Sequence, residues 1–369
     1  MNRMDTLRTH IRNVSHHLWI EERVALLAMV ILVGMNAVLY QPSATGQIAT
    51  RMIEYFGFGE PFYVFFFLFL CGLYAWKFCW RFAQLSVNSI LHRQPIPSGS
   101  GREMLGLFVE PLRRFAPLAV ISASFYTLLG NLSFSLRLSG RDELLASLDR
   151  TLTGGAPFIA LANAFQSPMM VTLLKHAYLS LSIVMSATLI ILFSSTKRLR
   201  LYRQLVLAFI ISLMLAFPFF VAMPCQDPYH TFVSNTRGRT HSPAMQAALL
   251  SYAPSDYAAE TTRTIAASEE SPEKDNAVPI SCFPSMHATW SMLSVYFLFL
   301  LFPASLIVTL PWITFLLMGG ITFGQHYLID YVMALPIAAA SVAVSAWLLR
   351  RVPDGTWLRR EQRLRPPAT

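Results

Sequence analysis

His326 and Asp330 lie four residues apart in GGITFGQHYLIDYVMALP, residues 319–336. At helical spacing they share one face. The carboxylate can then accept a hydrogen bond from one imidazole nitrogen, fix the tautomer and leave the other nitrogen as a nucleophile. A second histidine, His287, stands in FPSMHATW, residues 283–290, where a polar loop runs into an apolar segment. Two apolar runs, 287–303 and 305–324, separate it from His326. One helix descends and the next climbs back at about 1.5 Å per residue, so both histidines surface at the same membrane boundary. One imidazole can attack while the other protonates the departing oxygen as general acid. Ser285 and the amides opening the helix at about 285–288 offer an anion cradle. The chemistry implied is that of a phosphate ester. Two histidines and one aspartate could also hold zinc. No further His or carboxylate lies at ligand spacing, His230 and His241 in the preceding loop being the extras, so neither a metal nor another cofactor is expected.

The elements that must position these groups are membrane helices. The chain has 369 residues, 54% hydrophobic and 13% charged, with mean hydropathy +0.47. Soluble domains carry about 25% charged residues, so this chain is solvated by something other than water. Hydrocarbon about 30 Å thick needs about 20 apolar residues per helix. Eight runs qualify: roughly 24–41, 61–80, 116–136, 171–195, 203–224, 287–303, 305–324 and 329–349. The fold class is all-α, a polytopic integral membrane protein of about eight transmembrane helices.

The net charge of +9 gathers in short loops: Arg3, Arg8 and Arg12, then Lys77 to Arg114, then Lys197 to Arg203, and the tail from Arg350. With eight spans all of these share one side, which the positive-inside rule makes cytoplasmic. The charge is therefore read as orientation, not as a nucleic-acid surface. The partners expected are the bilayer and a membrane lipid substrate.

The organisation expected is a cytoplasmic segment 1–23, membrane helices 24–138, an extracytoplasmic interfacial segment 139–170, a catalytic membrane core 171–350 and a basic tail 351–369. In the interfacial segment, Leu144, Leu145, Leu148 and Leu152 fall at helical spacing and Gly154-Gly155 and Pro157 stop the pattern. This predicts an amphipathic helix in the interface, with Asp142 and Asp149 solvating it. The core contains an outer loop, 226–286, rich in Ser, Thr, Asn and Pro. Cys225 and Cys282 bracket that loop on the outer face, where an oxidising compartment would allow them to pair.

FPSMH followed by GQHYLID resembles the second and third signatures of the type 2 phosphatidic acid phosphatase superfamily. Phe-Pro-Ser-x-His with His-Tyr-x-x-Asp is similar to the branch containing inositol phosphorylceramide synthases and their bacterial relatives, and DELLASLDRTLTG is similar to that branch more weakly. The resemblance covers about residues 200–350. It implies a phosphatase-type helical core in which His326 forms a phosphohistidine, Asp330 orients it and His287 is the acid for the leaving group. It also implies a bacterial inner-membrane setting with the site on the extracytoplasmic face.

The chain departs from the phosphatases at their cations. Where they carry Lys and Arg-Pro it reads AMPCQDPYHTF, and where they carry Arg six residues before the nucleophile it has Gly320. Replacement cations are sought in Arg237 and Arg239 of the outer loop or in Lys175 near the outer end of the fourth span. Lack of the first signature is shared with the synthase branch, which favours head-group transfer. Hydrolysis of a lipid phosphate is the alternative. A transporter, which would show repeated halves and ionisable groups at the midplane, fits less well, because the candidate groups sit at one face.

Overall fold

The computed structural model describes residues 19–39, 61–91, 141–194, 199–229 and 283–351, with scattered positions between 93 and 121. Every regular element among them is helical. In chain order these are α1 (Ile20–Leu39), α2 (Pro61–Leu91), α3 (Arg141–Thr153), α4 (Pro157–Ala164), α5 (Pro168–Leu179), α6 (Leu181–Ser194), α7 (Leu199–Ala222), α8 (Met286–Leu301), α9 (Leu306–Thr322) and α10 (Leu328–Arg350).

Among the described residues, three helices are long and apolar enough to cross a membrane: α7, Pro303–Thr322 and α10. A fourth counts if α5 and α6, bent by 46°, form one span. Three of the other apolar runs form α1, α2 and the 16-residue α8, and most of 116–136 lies outside the described residues. The single run 171–195 is thus two helices. Trp312 Nε1 of α9 donates to Ser180 Oγ at 2.8 Å at their joint. Upstream, Ser167 Oγ caps α5 by accepting from the Met170 amide, and Pro168 occupies the first helical position, where no N–H is needed.

The core is built on α7, which packs on α1, α6, α8 and α10. Leu205, Val206, Phe209, Leu213 and Phe220 are buried there against Trp290, Leu293 and Phe297 of α8 and Ile337 of α10. Within this core Trp290 Nε1 donates to Ser212 Oγ at 3.2 Å. At the other end from the histidines, Arg203 of α7 and Glu21 of α1 form a buried two-bond pair at 2.7 and 2.8 Å. Arg203, one of the charges read from sequence as setting orientation, is thus also a buried strut whose partner lies 182 residues away in sequence.

A helix forms as α3 where the amphipathic one was expected, and its aspartate face is packed away from solvent. Asp142, Leu145 and Asp149 are buried, while Leu144 and Leu152 are 41% and 54% exposed, with Leu148 beside them. The aspartates do not solvate this helix. Spacing told which residues share a face, and the surroundings decided what each face meets.

Candidate active site

The stretch linking α9 to α10 carries His326 and is tied down at every turn. Gly324 has φ +65°, the left-handed region that favours glycine. The Tyr229 amide donates to its carbonyl at 2.9 Å, and a Cβ there would lie 3.1 Å from that same nitrogen. The Gly320 carbonyl accepts from the amides of Gln325 and His326 at 2.9 and 3.3 Å. Beyond His326, Asp149 of α3 reaches over: its Oδ2 accepts from the Leu328 amide at 2.9 Å and its Oδ1 from Ile329 at 2.8 Å. These are orphan donors at the start of α10, and a carboxylate suits the positive end of the helix dipole. Burial pushes the Asp149 carboxyl above the ordinary carboxylate value, and the two amides pull it part of the way back. Asp142, two turns earlier on the same buried face, accepts from the Gln226 amide at 2.6 Å. Two carboxylates of α3 therefore pin segments on either side of the outer loop.

His326 lies between a carboxylate and a second imidazole. Its Nδ1 is 3.4 Å from Asp330 Oδ2, which also accepts from the Tyr327 amide at 2.8 Å. Its Nε2 is 3.5 Å from His287 Nδ1. Asp330 is fully buried and His326 nearly so. With the Asp330 carboxylate beside Nδ1, the proton belongs on that nitrogen. Nε2 then presents a lone pair, and His287 Nδ1 is the donor. The carboxylate stands at ion-pair distance and the imidazole–imidazole hydrogen bond is long, as catalytic contacts often are before a ligand tightens them. Tyr178 of α5 stacks on His287, ring centroids 4.7 Å apart and planes 18° from parallel. Tyr331 packs on His326 at 5.5 Å.

The pattern of the PAP2 superfamily matches residues 143–344, more than half of the 369. The chain belongs to the PAP2 superfamily. PAP2 proteins are generally phosphatases or phosphotransferases acting on phosphate esters, and the apolar helices fit a membrane protein. The match opens inside α3 and closes inside α10, so it spans the Asp149 tether as well as both histidines. No curated protein and no solved structure matches the chain.

Of the residues singled out in the sequence, His287, His326 and Asp330 lie together. Ser285 is fully buried beside them. Its Oγ accepts from the Ala288 amide at 3.2 Å, capping α8, and its own amide donates to the Asp330 carbonyl at 3.3 Å. Two of the amides assigned to an anion cradle are thus engaged within the protein, and Ser285 joins α8 to the nucleophile loop. Lys175 is half-buried on α5, one turn before Tyr178. Arg237, Arg239 and Cys282 lie outside the described residues, and Cys225 is buried past the end of α7.

Gly320 accounts for one PAP2 departure. A Cβ placed there would run into Tyr331 Oη and lie 3.1 Å from Tyr178 Cε2 and 3.5 Å from His326 Cδ2. Any side chain at 320 would have to displace Tyr331, and Tyr178 by a little, from the space they fill. Sequence reasoning passed over Tyr178, Tyr331 and the buried role of Asp149. Tyr331 at least had a signal, standing directly after Asp330 at the head of the same helix. Tyr178 had none, since its partner is 109 residues away in sequence. Among the described residues no three His, Cys, Asp or Glu converge as a metal-ligand set.

Proposed function

We propose that this PAP2 protein is a membrane-embedded lipid phosphoryl-transfer enzyme working through a phosphohistidine, a head-group phosphotransferase similar to inositol phosphorylceramide synthase. The observation that carries the reading is the Asp330–His326–His287 relay, with nitrogens 3.5 Å apart between the imidazoles. His326 Nε2 attacks the phosphorus of a lipid phosphoester, forming a P–N bond as the P–O bond breaks. The leaving oxygen takes the Nδ1 proton of an imidazolium His287, which becomes neutral imidazole, and Asp330 stabilises the charge on phosphorylated His326. In the second half, His287 takes the proton of an acceptor hydroxyl. That oxygen attacks phosphorus and the P–N bond breaks, restoring both histidines. Water in the acceptor's place gives the phosphatase reaction.

The chain threads the membrane about eight times with the site on the extracytoplasmic face of a bacterial inner membrane. The leucine row of α3 lies along lipid there. Lys175, Arg237 and Arg239 supply positive charge to the phosphoryl group, and Ser285 caps the helix that bears the acid and ties it to the nucleophile segment.

The test is turnover by the full chain in detergent, given labelled phosphodiester and phosphomonoester lipids, with and without added alcohol acceptors, in EDTA. Label passing to an acceptor, and acid-labile label on the wild type that His326→Ala lacks, is the expected result. Release of inorganic phosphate without acceptor dependence would make it a phosphatase. Activity surviving His326→Ala would end the phosphohistidine route. Solute flux without turnover would favour a transporter.

A further inference from the structure

The Tyr331 hydroxyl is a buried donor with no hydrogen-bond partner among the described residues, on a side chain 6% exposed. Leaving such a group unpaired costs about 1–3 kcal/mol, so its retention asks for a partner that arrives later. Its place is defined by neighbours on three elements. A Cβ built on Gly320 would run into Tyr331 Oη, and that same point lies 3.5 Å from His326 Cδ2 and 3.1 Å from Tyr178 Cε2, so the hydroxyl, the edge of the His326 ring and the Tyr178 ring border one small space. Cδ2 is the ring carbon bonded to Nε2, the nitrogen that faces His287. Tyr178 is the ring stacked on His287. The hydroxyl therefore borders the Nε2 edge of His326 and the ring stacked on His287, the side toward which a phosphoryl group attacked by His326 can turn a non-bridging oxygen.

We propose that Tyr331 Oη donates a hydrogen bond to a non-bridging phosphoryl oxygen at this site, filling the space an arginine side chain at 320 would need. It is a direct contact to the reacting group and so a further catalytic residue, resting on the phosphohistidine reading above. No proton is transferred. The tyrosine stays neutral, and its O–H dipole stabilises negative charge that grows on the phosphoryl oxygens as the P–O bond lengthens. A donor fixed by packing acts as one arm of an oxyanion hole, where removal of one donor typically costs about 10²–10³ in kcat.

The experiment compares wild type, His326→Ala and Tyr331→Phe, using the full chain in detergent, labelled lipid phosphoesters and orthovanadate as a mimic of the five-coordinate phosphoryl group. Tyr331→Phe is expected to lower kcat about 100-fold with KM within about twofold, and to weaken vanadate inhibition at least about tenfold. Its melting temperature should be unchanged or higher, since the variant removes only an unpaired buried hydroxyl. Wild-type turnover and vanadate inhibition in Tyr331→Phe, with His326→Ala inactive, would overturn this proposal and leave the phosphohistidine reading standing. A lowered melting temperature that accounts for the lost activity would also overturn it, making the hydroxyl a structural group. Undiminished activity in His326→Ala would remove both.

Discussion

Nε2 of His326 and Nδ1 of His287 face each other across 3.5 Å, although 39 residues and two helices separate them in the chain. That spacing suits one imidazole bonded to another, and a phosphoryl group must part them to react. The roles are distinguishable by leaving group. His287→Ala should lose about 10²–10⁴-fold on a lipid ester whose alkoxide needs a proton. It should lose far less on a p-nitrophenyl ester, whose phenolate departs unaided. His326→Ala should be inactive on both. Steady-state rates on the two substrates decide the matter, and equal losses for His287→Ala would reject its role as acid.

Asp149 is the tether predicted to matter without touching substrate. Its two oxygens hold the Leu328 and Ile329 amides, the first helical turn beyond the nucleophile. Each hydrogen bond to a charged group is worth about 1.5–3 kcal/mol. Asp149→Ala should therefore lower the melting temperature and cut kcat by about 10-fold or more, at about 1.4 kcal/mol per tenfold. Asp149→Asn, which keeps one strong acceptor, should fall between it and wild type. An alanine variant with normal kcat and a normal melting temperature would contradict this.

The sequence brought the right groups together, with two helices leading back from His326 to His287, but not by the route expected for His326 and Asp330. Helix α10 begins at Leu328, so His326 stands in the link before it and meets Asp330 from outside the helix, not from a shared helical face. What was not legible depended on partners far off in the chain. The apolar run 171–195 looks continuous because hydropathy does not register the joint at Ser180, which Trp312 of α9 engages. Asp149 looked like a solvated charge because the amides it serves are 179 and 180 residues away. The exposed leucines of α3 were correctly placed on one face, yet the opposite face, and not theirs, packs on the protein.

Gly320 should resist restoration of the family's arginine. Any side chain there meets Tyr331 Oη and Tyr178, the ring stacked on His287, and overpacking of this kind costs about 1–3 kcal/mol. Gly320→Ala should lower the melting temperature and displace the His287 stack, reducing activity. Gly320→Arg should be worse on both counts. Thermal unfolding and turnover of the two variants test this, and a Gly320→Arg protein with raised activity would show that the tyrosines yield easily.

The Glu21–Arg203 pair offers a control for stability distant from the chemistry. Both groups are buried, and two bonds of 2.7 and 2.8 Å join α1 to α7, with the Arg203 guanidinium 5.7 Å from the Trp19 ring. Removing one partner leaves the other charge buried and uncompensated, at about 3–5 kcal/mol. Glu21→Ala and Arg203→Ala should each lower the melting temperature strongly. The double replacement Glu21→Leu with Arg203→Met should recover most of the loss, because an apolar pair of similar volume incurs no desolvation of charge. In every variant that remains folded, KM and the leaving-group dependence should match wild type, since neither group approaches the histidines. A double variant no more stable than the singles would mean that the pair does more than hold α1 against α7.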